Sequence, residues 1–260
     1  MIDAAGIRKK IFGTPGYSAD LCLSAPELQL FRQAIDAQWL AAIAEKYPQH
    51  VDQFRRHGLA NYHKFAHLVD HQNLWGKENR LLPQHAVEEI KRLPFMAKLH
   101  ETFGKFSISD VVYGNTIIEG RQEMYWRIVR PGAASDVGPF HADKWFHNVL
   151  GSGDGMFPPG VVTVKIWIPI YCEPGKSGLM VVPDSHTRDW RYEYVEKGGF
   201  PKPEIQEDVF PLSVLVPTEP GTLLMFNERM LHGGAVNRGD MTRVSTEITM
   251  VFEADPACLH

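Results

Sequence analysis

The pattern of apolar and polar positions changes character part-way along the chain. Up to about residue 105, apolar residues recur every three or four positions, the spacing of helices with one buried face. Leu28, Phe31, Ile35, Trp39 and Ile43 make one such face. Ser24 and Glu27 ahead of it form a capping box, Pro26 falls in the first turn, where its missing N–H costs little, and Pro48 ends the run. A second helical stretch is predicted over 84–102, with Val87, Ile90, Met96 and Leu99 inward and a break at Pro94. From about residue 106 the pattern shifts to short β-branched and aromatic runs at 124–129, 161–170, 179–182, 221–226 and 243–252. Pro-Gly pairs at 131–132, 174–175 and 220–221 punctuate them. Many short strands without alternating helices predict a mainly β fold, an antiparallel sandwich or jelly roll. The expected organisation is one domain over 1–260, with a helical part (1–105) packed on a jelly-roll core (106–255).

Composition narrows the class only a little. Apolar residues make up 44% and charged residues 22%, ordinary for a globular protein. A net charge of -4 argues against a dedicated nucleic-acid binder. Cys22, Cys172 and Cys258 lie far apart, so neither a disulfide framework nor a thiolate metal site is expected, and the expected compartment is the reducing cytoplasm. The first residues lack the apolar run of a signal peptide, and no stretch approaches the roughly 18 apolar residues of a membrane span. Peripheral membrane contact stays open.

The chemistry is concentrated in the β half. His141 and Asp143 are two residues apart after a strand and turn, a spacing that puts both side chains on one face of an extended segment. His232 follows 89 residues later (232 − 143), after the run ending at Phe226. Two histidines and one carboxylate with other positions open are the ligand set of non-haem Fe(II) oxygenases. A lone His-x-Asp would be a surface pair, given 12 histidines and 31 acidic residues. The distal segment changes that reading. Arg243, Ser245 and Glu247 alternate on one face of a strand, and an inward arginine needs an anion. The distal carboxylate of 2-oxoglutarate is a planar partner for a guanidinium; an ion pair of Arg243 with Glu247 or Asp240 is the bland alternative.

Four stretches read together resemble the phytanoyl-CoA dioxygenase superfamily of double-stranded β-helix oxygenases. They are Arg127-Ile-Val-Arg-Pro-Gly, His141-Ala-Asp143, Trp167-Ile-Pro-Ile leading through Gly178-Leu-Met-Val-Val-Pro-Asp-Ser-His186, and His232-Gly-Gly leading to Arg243-Val-Ser245. The resemblance spans roughly residues 110 to 252 and implies an Fe(II)- and 2-oxoglutarate-dependent hydroxylase that consumes O2. It implies His141, Asp143 and His232 as metal ligands and Arg243 with Ser245 on the distal carboxylate. It further implies Trp167 lining the co-substrate pocket and Arg127 reaching the proximal carboxylate, with a core aromatic and a rim ion pair as the plainer readings. Related halogenases lack the carboxylate ligand, so Asp143 favours hydroxylation.

Candidate substrate contacts are Lys144, Trp145, Lys165 and Asn227, and Lys165 shares a strand face with Trp167. An inward lysine suggests an acidic substrate, or else pairs with a nearby carboxylate. The glycine-rich segment 144–160 is either a lid or a plain connection. His63, His67 and His71, at i, i+4 and i+8, are either a solvated helix face or a second metal cluster, and the basic-aromatic segment 55–80 either recognises a headgroup or covers the barrel. Within the superfamily the chain is similar to bacterial 3-hydroxylases of Kdo (3-deoxy-manno-octulosonic acid). That similarity implies a glycolipid acceptor at the inner face of the cytoplasmic membrane. The competing expectations are a free small-molecule substrate, a metal-holding jelly roll without turnover, and a cupin-type isomerase.

Overall fold

The computed structural model describes residues 3–113, 116–149, 156–158, 160–197 and 200–252. The helices are α1 (Ala4–Phe12), α2 (Ala25–Lys46), α3 (Val51–His57), α4 (His71–Leu74), α5 (Gln84–Lys91), α6 (Pro94–Phe103) and α7 (Asp143–His147). The long apolar period at 28–43 is α2, and its predicted face is buried at Phe31, Ile35, Trp39 and Ile43. Glu27 does more than close its capping box. One carboxylate oxygen accepts from the Ser24 N–H at 2.6 Å and hydroxyl at 2.7 Å, and the other accepts from the Phe95 N–H at 2.7 Å, in the first turn of α6. One buried carboxylate thus serves the starts of two helices. The predicted break at Pro94 is the gap between α5 and α6, where the proline takes the first helical position.

The strands are β1 (Tyr17–Cys22), β2 (Ser107–Ile108), β3 (Asp110–Tyr113), β4 (Thr116–Gln122), β5 (Met124–Val129), β6 (Val162–Tyr171), β7 (Leu179–Val181), β8 (Tyr192–Lys197), β9 (Phe200–Ile205), β10 (Val214–Leu215), β11 (Thr222–Asn227), β12 (His232–Gly234) and β13 (Arg243–Phe252). The main sheet runs β1-β11-β6-β13, with β5 and β2 both pairing the far side of β13. The second sheet is β10-β7-β12, extended by a bridge between His141 and His232. This is the expected jelly-roll core under N-terminal helices.

Alternation on β13 divides the molecule. Val244, Ile248 and Met250 face outward into a core shared with Phe31, Ile35 and Trp39 of α2. Arg243, Glu247 and Thr249 face a cavity on the other side. A second core of Trp167, Leu179, Val181, Leu224, Phe226 and Met230 seals the two sheets together. The helical layer therefore covers one face of the main sheet and leaves the other to chemistry.

Three features differ from the expectations. β1 lies within the predicted helical part; its sequence Tyr-Ser-Ala-Asp-Leu-Cys carries little strand signal, and its identity is set by antiparallel pairing with β11. The hairpins β3–β4 and β8–β9 have no counterpart in the predicted runs. The three histidines do not share a helix face: Gly58, at φ +73°, ends α3, and two 3₁₀ turns, Leu59–Lys64 and Ala66–Leu68, break the period before α4. His63 bonds Thr242 at 3.0 Å, His67 is exposed, and His71 bonds the Tyr62 hydroxyl at 2.8 Å. Of the two readings of segment 55–80, covering the barrel is the one its packing follows: Tyr62 lies edge-on to Trp39 and Trp75 packs on Trp126. Cys22 is exposed and Cys172 buried as free thiols, while Cys258 and residues 150–155 and 159 of the candidate lid lie outside the described residues.

Candidate active site

His141 and His232 exchange backbone hydrogen bonds of 3.0 and 2.9 Å, so the two segments run antiparallel and bring their rings together, with centroids 4.4 Å apart. Each Nδ1 faces a backbone carbonyl, Pro139 at 2.9 Å for His141 and Met230 at 3.0 Å for His232. A carbonyl only accepts, so the hydrogen bonding assigns the proton to Nδ1 and leaves each Nε2 lone pair free for a ligand. Asp143 opens α7 two residues after His141. One ligand atom from each of His141, Asp143 and His232 falls within 4.8 Å of the others. No other group of three such residues is found among the described residues.

The charge states suit a divalent ion. Burial works against the Asp143 charge, but Lys165, His232 and His141 outweigh it and hold the carboxyl well below its usual range. Burial, then His232, pushes the His141 imidazolium down to about 4, so the ring is neutral. Asp143 Oδ1 lies 4.0 Å from His232 Nε2, and its other oxygen, Oδ2, is buried with no hydrogen-bond partner. A charged carboxylate and two neutral imidazoles are the forms metal binding needs.

The second orphaned set lies on β13. Arg243 is 2% exposed; one terminal N–H reaches the Gly178 carbonyl at 3.3 Å, and the guanidinium sits 5.7 Å from the Trp167 ring centre. Its Nε–H has no partner, nor does the fully buried Ser245 hydroxyl on the same strand face. Burial brings Arg243 down to about 10. Among the described residues no carboxylate pairs with it: Glu247 bonds Arg127 at 2.7 Å, and the exposed Asp240 stands 3.7 Å from Lys176, so neither partner of the plainer reading meets Arg243. Two unpartnered buried donors two residues apart fit a planar anion such as a carboxylate.

These groups share a cavity of about 510 Å³, lined also by Tyr125, Lys165, Trp167 and Glu247. Two of the charge pairs inside are close and the third is long. Arg127 meets Glu247, Lys77 meets Glu123 at 2.6 Å, and Lys165 stands 3.8 Å from Asp143. Behind Asp143, Glu228 fixes α7: it accepts from the Thr163 N–H at 3.2 Å and hydroxyl at 2.7 Å, pairs with Lys144 at 3.1 Å, and its carbonyl accepts the Lys144 N–H at 2.9 Å.

The structure brings His141, Asp143, His232, Arg243, Trp167, Arg127 and Lys165 to one cavity, with Ser245 beside Arg243. It does not bring Lys144, Trp145 or Asn227 there. Lys144 turns to Glu228, Trp145 stacks on Tyr192 at 4.3 Å, and the Asn227 side chain accepts from the Arg229 N–H at 3.0 Å. Sequence reasoning missed Lys77, Glu123 and Tyr125, which reach the cavity from segments with no motif around them. Glu228 was legible only as an acidic residue next to Asn227.

Comparison with known proteins follows the same lines. The family model described as phytanoyl-CoA dioxygenase (PhyH) matches residues 29–245. Among solved structures, the apo form of the non-heme monooxygenase ThoJ aligns at a TM-score of 0.57 with 12% identity, covering 96% of this chain and 77% of ThoJ. Its nickel complex aligns at 0.52, with the same identity and coverage. EvdMO1 aligns at 0.52 with 19% identity over 96% of this chain, which spans 50% of EvdMO1. No curated protein matches the chain in sequence.

Proposed function

The chain belongs to the phytanoyl-CoA dioxygenase family of non-haem iron- and 2-oxoglutarate-dependent oxygenases, and on that premise we propose that His141, Asp143 and His232 hold the iron, that Arg243 and Ser245 hold the distal carboxylate of 2-oxoglutarate, and that the acceptor is an acidic sugar. The observation that carries this reading is the orphaned set: Asp143 Oδ2 and Arg243 Nε, on residues of one cavity, and Ser245 Oγ, two residues along the strand from Arg243, are buried without partners. Iron with 2-oxoglutarate and O2 supplies the oxidising power for hydroxylating an unactivated C–H bond, with succinate and carbon dioxide as by-products.

The chain's own residues do the rest. The carbonyls of Pro139 and Met230 keep both imidazoles in the Nε2-ligating tautomer. Glu228 pins α7 through Lys144 and so sets the direction of Asp143. Arg243, stacked near Trp167 and lacking a counter-ion, offers its free Nε–H to the co-substrate, and Ser245 adds a hydroxyl donor. Trp167, at 1% exposure, closes that end to water.

The finer reading names the acceptor as Kdo carried on a glycolipid at the inner face of the cytoplasmic membrane. Lys165 on the cavity wall, with no carboxylate at hydrogen-bond distance among the described residues, favours an acid. Phe210, 60% exposed, and Leu212, 54% exposed, favour contact with lipid. They follow Val209, which packs in the cluster that holds Trp145 and Ala142 next to the site. No helix among the described residues is long and apolar enough to cross a membrane, so such contact would be peripheral.

Anaerobic titration with Fe(II) and 2-oxoglutarate tests the centre. We expect the weak visible charge-transfer band of the chelate, and its loss in His141→Ala. A protein that binds both without the band would overturn the assignment. Succinate release driven by Kdo-lipid above the rate with free amino-acid derivatives tests the acceptor; the reverse preference would replace it with a free small molecule.

A further inference from the structure

Lys165 differs from every other cation on the cavity wall. Arg127 spends its Nε–H on Glu247 at 2.7 Å, and Lys77 divides its ammonium between Glu123 at 2.6 Å and the Val112 carbonyl at 3.0 Å. Arg243 belongs to the co-substrate end, and Lys202 is exposed. The Lys165 side chain is 14% exposed, and among the described residues the one carboxylate within 4 Å of it is Asp143, whose Oδ1 at 3.8 Å is beyond hydrogen-bond reach; Glu247 and Glu123 act on it from further away. The ammonium, partly open to the cavity, has three donors, and Asp143 at this distance takes none of them. Asp143 is also a weak partner for functional reasons, because a metal ligand gives its charge to the ion.

Register gives the direction in which Lys165 serves. On the main sheet Lys165 lies opposite Thr249, and Arg243 begins the same strand six positions earlier. Six residues of strand span about 20 Å, so Lys165 is rooted at the end of the cavity away from the distal-carboxylate anchor. Glu247, paired with Tyr125 across the sheet, lies between these levels, and both line the cavity wall.

Resting on the iron and 2-oxoglutarate assignment above, we propose that Lys165 is the substrate anchor: it donates to a carboxylate of the acceptor and sets that group beside the metal, so that the enzyme selects acceptors bearing an oxyanion close to the reacting carbon. The paired charges of Arg127–Glu247 and Lys77–Glu123 then bind hydroxyls, which accept and donate in turn. A compact, hydroxylated carboxylic acid satisfies both.

The proximal carboxylate of 2-oxoglutarate is the other source of an anion near the metal, and the experiment separates the two. The Fe(II)–2-oxoglutarate complex is formed anaerobically and followed by its visible band while gluconate, or sorbitol as the neutral polyol of the same carbon count, is added. In the unaltered protein gluconate perturbs the band at lower concentration than sorbitol. In Lys165→Met the gluconate response weakens about ten- to a hundredfold, the loss of one charge-assisted hydrogen bond. The sorbitol response and the 2-oxoglutarate affinity stay within about threefold of the original. Lys165→Arg restores part of the preference. A gluconate response no stronger than that of sorbitol in the unaltered protein overturns the proposal. So does a Lys165→Met protein whose main defect is 2-oxoglutarate affinity, which would give the ammonium to the co-substrate, or Ni(II) affinity, which would make it only a counter-ion of Asp143. Absence of the band altogether refutes the cofactor assignment instead.

Discussion

At the scale of single residues, the site is recognisable by what its polar atoms lack. Buried donors and acceptors in folded proteins are nearly always satisfied; of the ten unpartnered buried side-chain atoms among the described residues, Asp143 Oδ2, Arg243 Nε and Ser245 Oγ are those whose chemistry, beside the paired histidines and on one strand, fits a cation and a carboxylate. Arg243 gives the sharpest prediction. Removing the guanidinium in Arg243→Ala should raise the 2-oxoglutarate concentration needed for half-maximal turnover by about a hundredfold, the worth of a buried charge-assisted pair. Lysine at that position should recover only a small part, since a point charge cannot copy the planar fork. Titrating the co-substrate at saturating iron measures this directly; an unchanged requirement would move the anchor elsewhere. That His141, Asp143, His232 and Arg243 would share one cavity was legible from sequence because the chemistry proposed for them tolerates few residue types at fixed spacings. Lys144, Trp145 and Asn227 were drawn in by sequence proximity alone. Lys144 and Trp145 follow Asp143 on a helix, where successive side chains diverge by roughly 100°, so neighbours of a ligand need not face it.

At the scale of elements, strong local signals survived into the structure and weak ones did not. The predicted runs at 124–129 and 243–252 coincide with β5 and β13, because each alternates between a helix-covered face and a cavity face. β1 and the two hairpins escaped notice because their partners, rather than their own residues, make them strands. The helices also depend on each other in a way no periodicity reports: Glu27 caps α2 and seizes the Phe95 N–H of α6. Hydrogen bonds oppose the cost of burying that carboxylate, and its pKa lies below the usual glutamate value. Glu27→Ala should therefore cost about 2–4 kcal/mol, more than a single exposed cap, since two helix starts lose their acceptor together. Urea denaturation would show it as a lower midpoint with unchanged slope; a loss under about 1 kcal/mol would mean that water replaces the carboxylate at both helices.

At the scale of the whole molecule, the helical layer and the main sheet meet through polar contacts as well as apolar ones. Arg32 of α2 donates to the Ile170 carbonyl at 3.1 Å, and the Tyr171 hydroxyl donates to Asp36 at 3.3 Å. Burial raises the Asp36 carboxyl to about 6, despite Tyr171 and Arg32. An acid whose folded value lies above its unfolded value binds more protons when folded. Its protonated form favours the docked layer, and that contribution is lost as pH rises from near 4 through 6. Asp36→Asn should thus flatten the pH dependence of stability in this window and stabilise the protein at pH 7 by roughly 1 kcal/mol, a figure reduced for partial solvent screening. Thermal unfolding at pH 4 and pH 7 tests the sign, and a variant that is less stable at pH 7 would refute it. The pairing of β1 with β11 has a consequence in time. Cys22 is matched with Thr222, 200 residues further on (222 − 22). At ribosomal rates of about 5–20 residues per second, the first strand waits roughly 10–40 s for its partner to be made. Through that interval α1 and α2 exist without the sheet that buries their apolar faces, so this protein completes its fold only after most of the chain has been synthesised, and a nascent chain halted before residue 222 is a client for chaperones.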